Sequence, residues 1–257
     1  MSAIYFQSSA RSADGLQRSG NEDSAFVSGR LIAVADGMGG HAGGEVASKI
    51  AIKALQKLSP VLTSSEIDSD SVEDLLLNSL FTIDSQIGEY VEEAIELRGM
   101  GTTLTALLIV DTKIALLHVG DSRCYRLRGN TLEQLSNDHT VIQELLDQGA
   151  ISRSEIADHP QRSVLTQALM GQGTVTPVLQ IYDVKEKDRY LLCSDGLSGV
   201  LTQKEIKSLL KKSDQSEALK ALIDATYING APDNVTVIVA DITSDEVTTN
   251  EVLGAAQ

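Results

Sequence analysis

Four aspartates stand where apolar runs begin or end. Asp36 follows residues 31–35, Asp121 follows ALLHVG, Asp195 follows LLCS, and Asp233 precedes NVTVIVADI. If these termini converge on one edge of a sheet, bare carboxylates packed together repel one another unless cations neutralise them. With no clustered Cys or His beside them, such a site calls for a hard ion with oxygen ligands, Mg2+ or Mn2+ rather than Zn2+. The glycine after Asp36 lets its own carbonyl, that of Gly37, reach the same ion. Any one Asp taken alone more simply caps a turn, because Asp-Gly is a common turn pair. Four at strand termini weaken that reading.

Other chemistries can be tested against the same residues. The segment DGMGGHAGG, 36–44, holds five glycines in nine residues between a strand-like and a helix-like stretch, and glycine clusters let backbone approach a ligand closely. Gly37, Gly39 and Ala42 formally match the dinucleotide fingerprint. Asp36, however, sits where a pyrophosphate needs positive potential, and no second strand ending in an acid follows about 20 residues on. A Walker loop lacks its Gly-Lys-Ser/Thr. A cysteine-dependent phosphatase needs Cys-x5-Arg, but Gly199 and Asn130 stand six residues beyond Cys193 and Cys124. An aspartyl-phosphate mechanism wants a second Asp where Met38 stands. Arg18, in GLQRSGNED with Glu22 and Asp23 just after it, can hold a phosphate bidentately; alone, it is more often a surface ion pair. His41, His118, His139 and His159 show no metal-ligand spacing.

Composition narrows the class. Lys and Arg number 21 against 36 Asp and Glu, a formal charge of −15, which is the wrong sign for coating phosphate backbones or anionic membranes. Apolar residues at 42% and charged residues at 22% indicate a packed domain rather than a disordered chain. Cys124 and Cys193 lie in apolar runs and read as reduced core thiols. The N-terminus shows no basic-then-apolar signal, and the most apolar run, residues 104–110, is far short of the roughly 20 residues that span a bilayer. The expectation is an intracellular chain with no membrane contact of its own.

The elements that must carry these residues follow from periodicity. Strands are expected at 31–35, 102–110, 113–119, 125–127, 189–194 and 234–242, the second and third joined as a hairpin through Asp111-Thr112. A helix is expected where Val46, Ile50, Ala54 and Leu58 recur every four residues with Ala47, Ala51 and Leu55 beside them, and a second from Val72 to about Arg98. The Ser- and Asp-rich SPVLTSSEIDSDS is expected to link them as an antiparallel pair. Shorter helices are expected at 140–147, 203–211 and 216–227. Residues 137–176 read as an irregular or helical excursion from the scaffold. Residues 243–257 read as an acidic flexible tail, leaving one domain over 1–242. Strands in blocks with helices in pairs indicate an α+β layered fold.

The motifs GLQRSGNEDS, VADGMGGHAGGEVAS, GMGTTLTALL, HVGDSRCYRLR, HPQRSVLTQAL, LLCSDGLS and PDNVTVIVADI, in this order over about residues 4–242, resemble the bacterial branch of the metal-dependent PPM/PP2C serine/threonine phosphatases. The likeness extends to catalytic domains of actinobacterial members that partner Ser/Thr kinases and are often tethered by a C-terminal membrane helix. The resemblance implies a four-layer α-β-β-α fold, with a central antiparallel β-sandwich flanked by helical pairs and a flap subdomain at about 137–176. It implies that Asp36 bridges two Mn2+ or Mg2+ ions, that the Gly37 carbonyl binds the first, and that Asp195 and Asp233 bind the second. It assigns a third, weaker ion to Asp121 and Asp195, the phosphate to Arg18, and contacts with metal-bound water to Glu22 and Asp23. The implied reaction is direct attack of activated water on the phosphorus of phosphoserine or phosphothreonine in proteins, by a cytoplasmic monomer. A catalytically silent module with the same fold is the alternative. Two departures stand out. Ala13 occupies a position where the family commonly has Asp, which puts a supporting contact in doubt. Met38 stands where animal members carry a His proposed as general acid, which leaves the leaving-group proton to metal-bound water or another group, His41 among the candidates.

Overall fold

The computed structural model describes residues 3–39, 43–62, 64, 69–152, 155–156 and 159–257. The chain opens with β1 (Tyr5–Ala13), β2 (Asp23–Ser28) and β3 (Leu31–Met38), then forms α1 (Gly43–Leu62) and α2 (Ser69–Glu93). A 3-10 turn at Ile95–Leu97 leads to β4 (Gly101–Thr102), β5 (Leu104–Val110), β6 (Lys113–Val119), β7 (Arg123–Arg128) and β8 (Thr131–Gln134). After α3 (Val141–Asp147) come β9 (Val178–Asp183), β10 (Arg189–Cys193), α4 (Asp195–Ser198), α5 (Gln203–Leu210), α6 (Gln215–Ile228), β11 (Val235–Thr243) and β12 (Asn250–Gly254).

The strands form two antiparallel sheets. One has the order β1-β11-β10-β7-β8; the other has the order β12-β2-β3-β5-β6-β9, with β4 pairing antiparallel to the end of β3. Period-two alternation separates three cores. Ile32 and Val34 of β3 meet Ile238 and Ala240 of β11 between the sheets. Leu31, Ala33 and Ala35 face α1 and α2, while Val235, Val237 and Val239 face α5 and α6. Because central strands are buried on both faces, they read as unbroken apolar runs rather than alternating ones. The result is the expected α-β-β-α sandwich, two sheets each covered by a helical pair.

Several local expectations are corrected. α1 does not stop before SPVL but carries Pro60 to Leu62. Its fully buried line is Ala47, Ala51 and Leu55, with Val46, Ile50, Ala54 and Leu58 only partly covered. The shift by one position arises because the sheet and α2 bury adjacent faces of the same helix. α2 ends at Glu93, short of Arg98. β1, β2, β8, β9 and β12 were not expected as strands, and Asp195 opens α4 instead of ending β10. Among the described residues of 137–176 there is α3 and no sheet strand, only isolated bridges at Thr140–Leu165 and Thr102–Leu169.

The expectation of a flexible tail fails. Residues Asn250–Gly254 pair with β2 from Ser28 to Ser24. Ala255 N–H donates to the Asp23 carbonyl at 2.8 Å, and Ala256 is fully buried in the core under α1 and α2. Small polar residues that look like solvent-exposed linker instead close the open edge of β2, so the domain extends beyond residue 242. Deleting residues 250–257 is expected to lower Tm by about 5–10 °C, at about 2–4 °C per kcal/mol for a chain of this size. Differential scanning calorimetry checks this; an unchanged Tm would show that the strand contributes nothing to the domain.

Candidate metal centre

The predicted acids meet at one end of the sandwich. Asp23 at the start of β2 and Asp36 near the end of β3 are direct register partners. Asp121 lies in the turn from β6 to β7, Asp195 opens α4 just after β10, and Asp233 stands two residues before β11. Asp36 is the acid on which the other four act together. The Asp36 carboxyl is held well above the ordinary carboxylate range by burial and then by Asp23, Asp195, Asp121 and Asp233. Burial, followed by Asp195 and Asp138, raises Asp121 to about 7. Burial, and after it repulsion from the Asp233 carboxylate, also raises Asp195.

Asp23 differs from the rest. It is 1% exposed, and its Oδ2 accepts from the Ser194 hydroxyl at 2.8 Å. Ser194 Oγ in turn accepts the Thr236 N–H at 3.0 Å. Burial raises Asp23 to about 7 against these hydrogen bonds. Since β2 belongs to one sheet while Ser194 directly follows β10 and Thr236 lies in β11 of the other, this carboxyl ties the two sheets at the end where the acids gather. Asp36, Asp121, Asp195 and Asp233 remain partly open to solvent, as ligands that must exchange water require.

Backbone geometry fixes Asp36. Its carbonyl accepts from Thr103 N–H at 2.9 Å and from the Thr102 hydroxyl at 2.9 Å, and its own N–H donates to Thr103 Oγ1 at 3.0 Å. Gly37 follows where the start of α1 crosses β3. A Cβ on Gly37 would stand 2.1 Å from the Gly44 carbonyl oxygen, so no side chain fits. Gly196 meets the Asn234 carbonyl in the same way, a Cβ there lying 1.9 Å from it. The two crossings bring the Asp36 and Asp195 backbones to a common edge.

Arg18 sits at the rim, where its Nη2 donates to Asp233 Oδ2 at 2.6 Å, the arginine 48% and the aspartate 32% exposed. That bond holds the guanidinium above its ordinary pKa. The loop that carries Arg18 is fastened by Asn234, whose amide donates to the Gly20 carbonyl at 2.9 Å and accepts Glu22 N–H at 3.0 Å. Glu22 is half-buried, and burial raises its carboxyl. His139 Nδ1 accepts Gly120 N–H at 3.1 Å, beside Asp121. Burial lowers His118 to about 3, and both its nitrogens are occupied by the Thr105 hydroxyl and the Asn137 carbonyl. His41 lies outside the described residues. Sequence reasoning missed Ser194, Thr236, Asn234 and Thr103; their neighbours in LLCSDG, PDNVT and GTT were the available signal.

The donor set is all oxygen, which fits a hard divalent ion. Among the described residues, no three Asp, Glu, His or Cys side chains form a ready-made cage for a metal. One acid is compensated from within the chain: Arg18 donates to one oxygen of Asp233 and the Asn234 N–H to the other. The family model for protein phosphatase 2C matches residues 17–230. The chain belongs to the protein phosphatase 2C family.

Its relatives within that family share most of this length. The serine/threonine protein phosphatase PstP of Mycobacterium tuberculosis is 43% identical over 242 residues, 93% of this chain and 45% of the relative, so the chain spans about half of that protein. The serine/threonine phosphatase stp of Listeria welshimeri is 36% identical over 212 residues, 82% of this chain and 84% of the relative. The crystal structure of the PstP catalytic domain in complex with two manganese ions matches with a TM-score of 0.85 and 40% identity, covering 94% of this chain and 100% of that one. Among the described residues of this protein phosphatase 2C member, no helix is long and apolar enough to cross a membrane.

Each raised carboxyl binds its proton more tightly in the folded chain than in the unfolded one. The stability this confers is complete below the ordinary carboxylate range and is lost as pH rises through about 7 for Asp23 and Asp121. In chelator, Tm is therefore expected to fall between pH 5 and pH 8. Mn2+ is expected to raise Tm more at pH 8 than at pH 5, because protons compete for the same oxygens. Scanning fluorimetry across that range checks both; a metal effect independent of pH would separate the ions from these carboxyls.

Proposed function

We propose that this chain hydrolyses phosphoserine and phosphothreonine in proteins, with Asp36, the Gly37 carbonyl, Asp195 and Asp233 holding two Mn2+ or Mg2+ ions and Asp121 with Asp195 holding a weaker third. The observation that carries the reading is the gathering of Asp23, Asp121, Asp195 and Asp233 round Asp36 at one sandwich end, with Arg18 on the rim beside them. The family supports it, through relatives named as serine/threonine phosphatases and a related catalytic domain crystallised with two manganese ions.

When bound, such ions activate water for attack on phosphorus and neutralise the charge that develops as the phosphoryl group transfers. The chain's own residues do the rest. Arg18 carries a charge that does not titrate away, and its planar fork matches two phosphate oxygens. Its present partner, Asp233, is a proposed ligand, so a cation held at Asp233 would compete with Arg18 for that carboxylate and leave the guanidinium free for phosphate. Asp36 and Asp195 are both held above the ordinary carboxylate range, so both would have to ionise in order to hold a cation. Glu22 lies beside Arg18 and Asp233, where it can orient water. Asp23 holds the sheets in register behind Asp36 instead of facing the cleft. Neither Cys124 nor Cys193 takes part, since both are buried.

A Ser/Thr kinase as counterpart, a monomeric state, a cytoplasmic location and the role of residues 137–176 as a flap belong to the same proposal. The test is Mn2+-dependent release of phosphate from phosphothreonine and phosphotyrosine peptides, with turnover expected on the former. Asp36→Asn is expected to reduce kcat about a thousandfold or more, the scale of losing metal-assisted activation. Arg18→Ala is expected to raise KM for a phosphothreonine peptide about tenfold with a smaller change in kcat. Normal turnover by Asp36→Asn, or an unchanged KM for Arg18→Ala, would remove the corresponding assignment.

A further inference from the structure

Asp84 is an acid that the proposed chemistry does not use. It lies in the middle of α2 on the same face as Leu76, Leu80, Ile83 and Ile87, and it is 2% exposed. A carboxyl group there is costly unless its oxygens are satisfied. Its Oδ1 accepts the N–H groups of Met170 at 2.9 Å and Gly171 at 2.8 Å, and its Oδ2 accepts the N–H of Gly173 at 2.8 Å. Successive backbone donors curled round an anion form a nest; here the anion is a side chain from another element. Gly171 and Gly173 have φ of +74° and +65°, which lets the chain curl in this way. A Cβ on Gly171 would stand 2.3 Å from Gly88 Cα, one turn beyond Asp84, so the loop lies directly on the helix.

The same loop touches the metal centre. Leu169 exchanges backbone hydrogen bonds with Thr102 at 2.9 and 3.0 Å, and the Thr102 hydroxyl donates to the Asp36 carbonyl at 2.9 Å. Met170 Cγ and Met38 Cε converge on Gly101, each 2.9 Å from where a Cβ would stand. Met38 is two residues beyond Asp36, and both methionines are half-buried. We infer that Asp84 is a positioning residue that ties segment 169–173 to α2, and so holds Met170 beside Met38 as an apolar wall for the residues flanking the phosphate. This rests on the phosphatase reading for its substrate and on geometry alone for the tie.

Hydrogen exchange at single-amide resolution, with peptide kinetics, tests it on the whole chain. Asp84→Asn keeps one acceptor oxygen, enough for the Met170 and Gly171 pair but not also for Gly173. Exchange at Gly173 is therefore expected to rise at least about tenfold while Met170 and Gly171 stay protected; Asp84→Ala is expected to release all three. In Asp84→Asn, KM for a phosphothreonine peptide is expected to rise about fivefold with kcat within about twofold, and KM for p-nitrophenyl phosphate to change by less than about twofold. Three unchanged amides, or faster exchange spread evenly along α2, would overturn the tie. Released amides with an unchanged peptide KM would overturn the wall. Were the wild-type chain inactive on both substrates, the phosphatase reading would fall, and the graded exchange pattern would still decide the tie.

Discussion

Asp23 and Asp36 stand opposite each other across β2 and β3, and like charges directly opposed in a sheet repel. At the roughly 5 Å typical of such a pair, and with an effective dielectric of about 20, two full charges cost about 3 kcal/mol. Asp195, Asp121 and Asp233 add to the same field. No fold gathers acids in this way by default, and the rest of the sandwich can be read as what holds them there. Three apolar cores supply the gross stability, and a small number of polar ties at one end determine how that stability is spent.

Those ties differ in which atoms they hold. Asp36 and Asp121 are restrained through the backbone, which leaves their carboxylate oxygens available, whereas Asp233 is held at its oxygens by Arg18 and the Asn234 N–H. Asp36 is gripped at its N–H and carbonyl by Thr102 and Thr103, and Asp121 is placed by a turn whose Gly120 N–H is bound by His139. Asp23 differs again: it is buried and its Oδ2 accepts from a buried hydroxyl, so it is better suited to joining the sheets than to binding a ligand. Burial with hydrogen bonding and burial with solvent access thus separate two carboxyls that are neighbours across one ladder. Close glycine crossings at Gly37 and Gly196 then let segments from both sheets approach within backbone distance.

The central strands were legible because two-sided burial writes them as continuous apolar runs, as in Leu104–Val110. β1, with the sequence YFQSSARSA, is half-buried along most of its length, and its serines carry no strand signal of their own. β12 was hidden for a related reason. NEVLG contributes only Val252 and Leu253 to the cores, and its place depends on the open edge of β2, a partner more than 200 residues away. Its pairing is a property of topology, which no local window contains.

The same distinction explains which site residues could be read. An acid at the end of an apolar run conflicts with its surroundings, and such a conflict can be seen in one dimension because burying a charge needs a compensating reason. A serine, threonine or asparagine in the same run conflicts with nothing. Ser194, Thr236 and Asn234 acquire their roles only when β10, β11 and the loop before β2 are brought together, where a hydroxyl reaches Asp23 and an amide spans Gly20 and Glu22. Asp84 shows the limit of the rule. It is an acid on an apolar helix face and so a visible conflict, yet its resolution lies in the backbone of a glycine turn more than 80 residues on. Sequence patterning can therefore locate buried charge, but identifying the groups that satisfy it requires the fold.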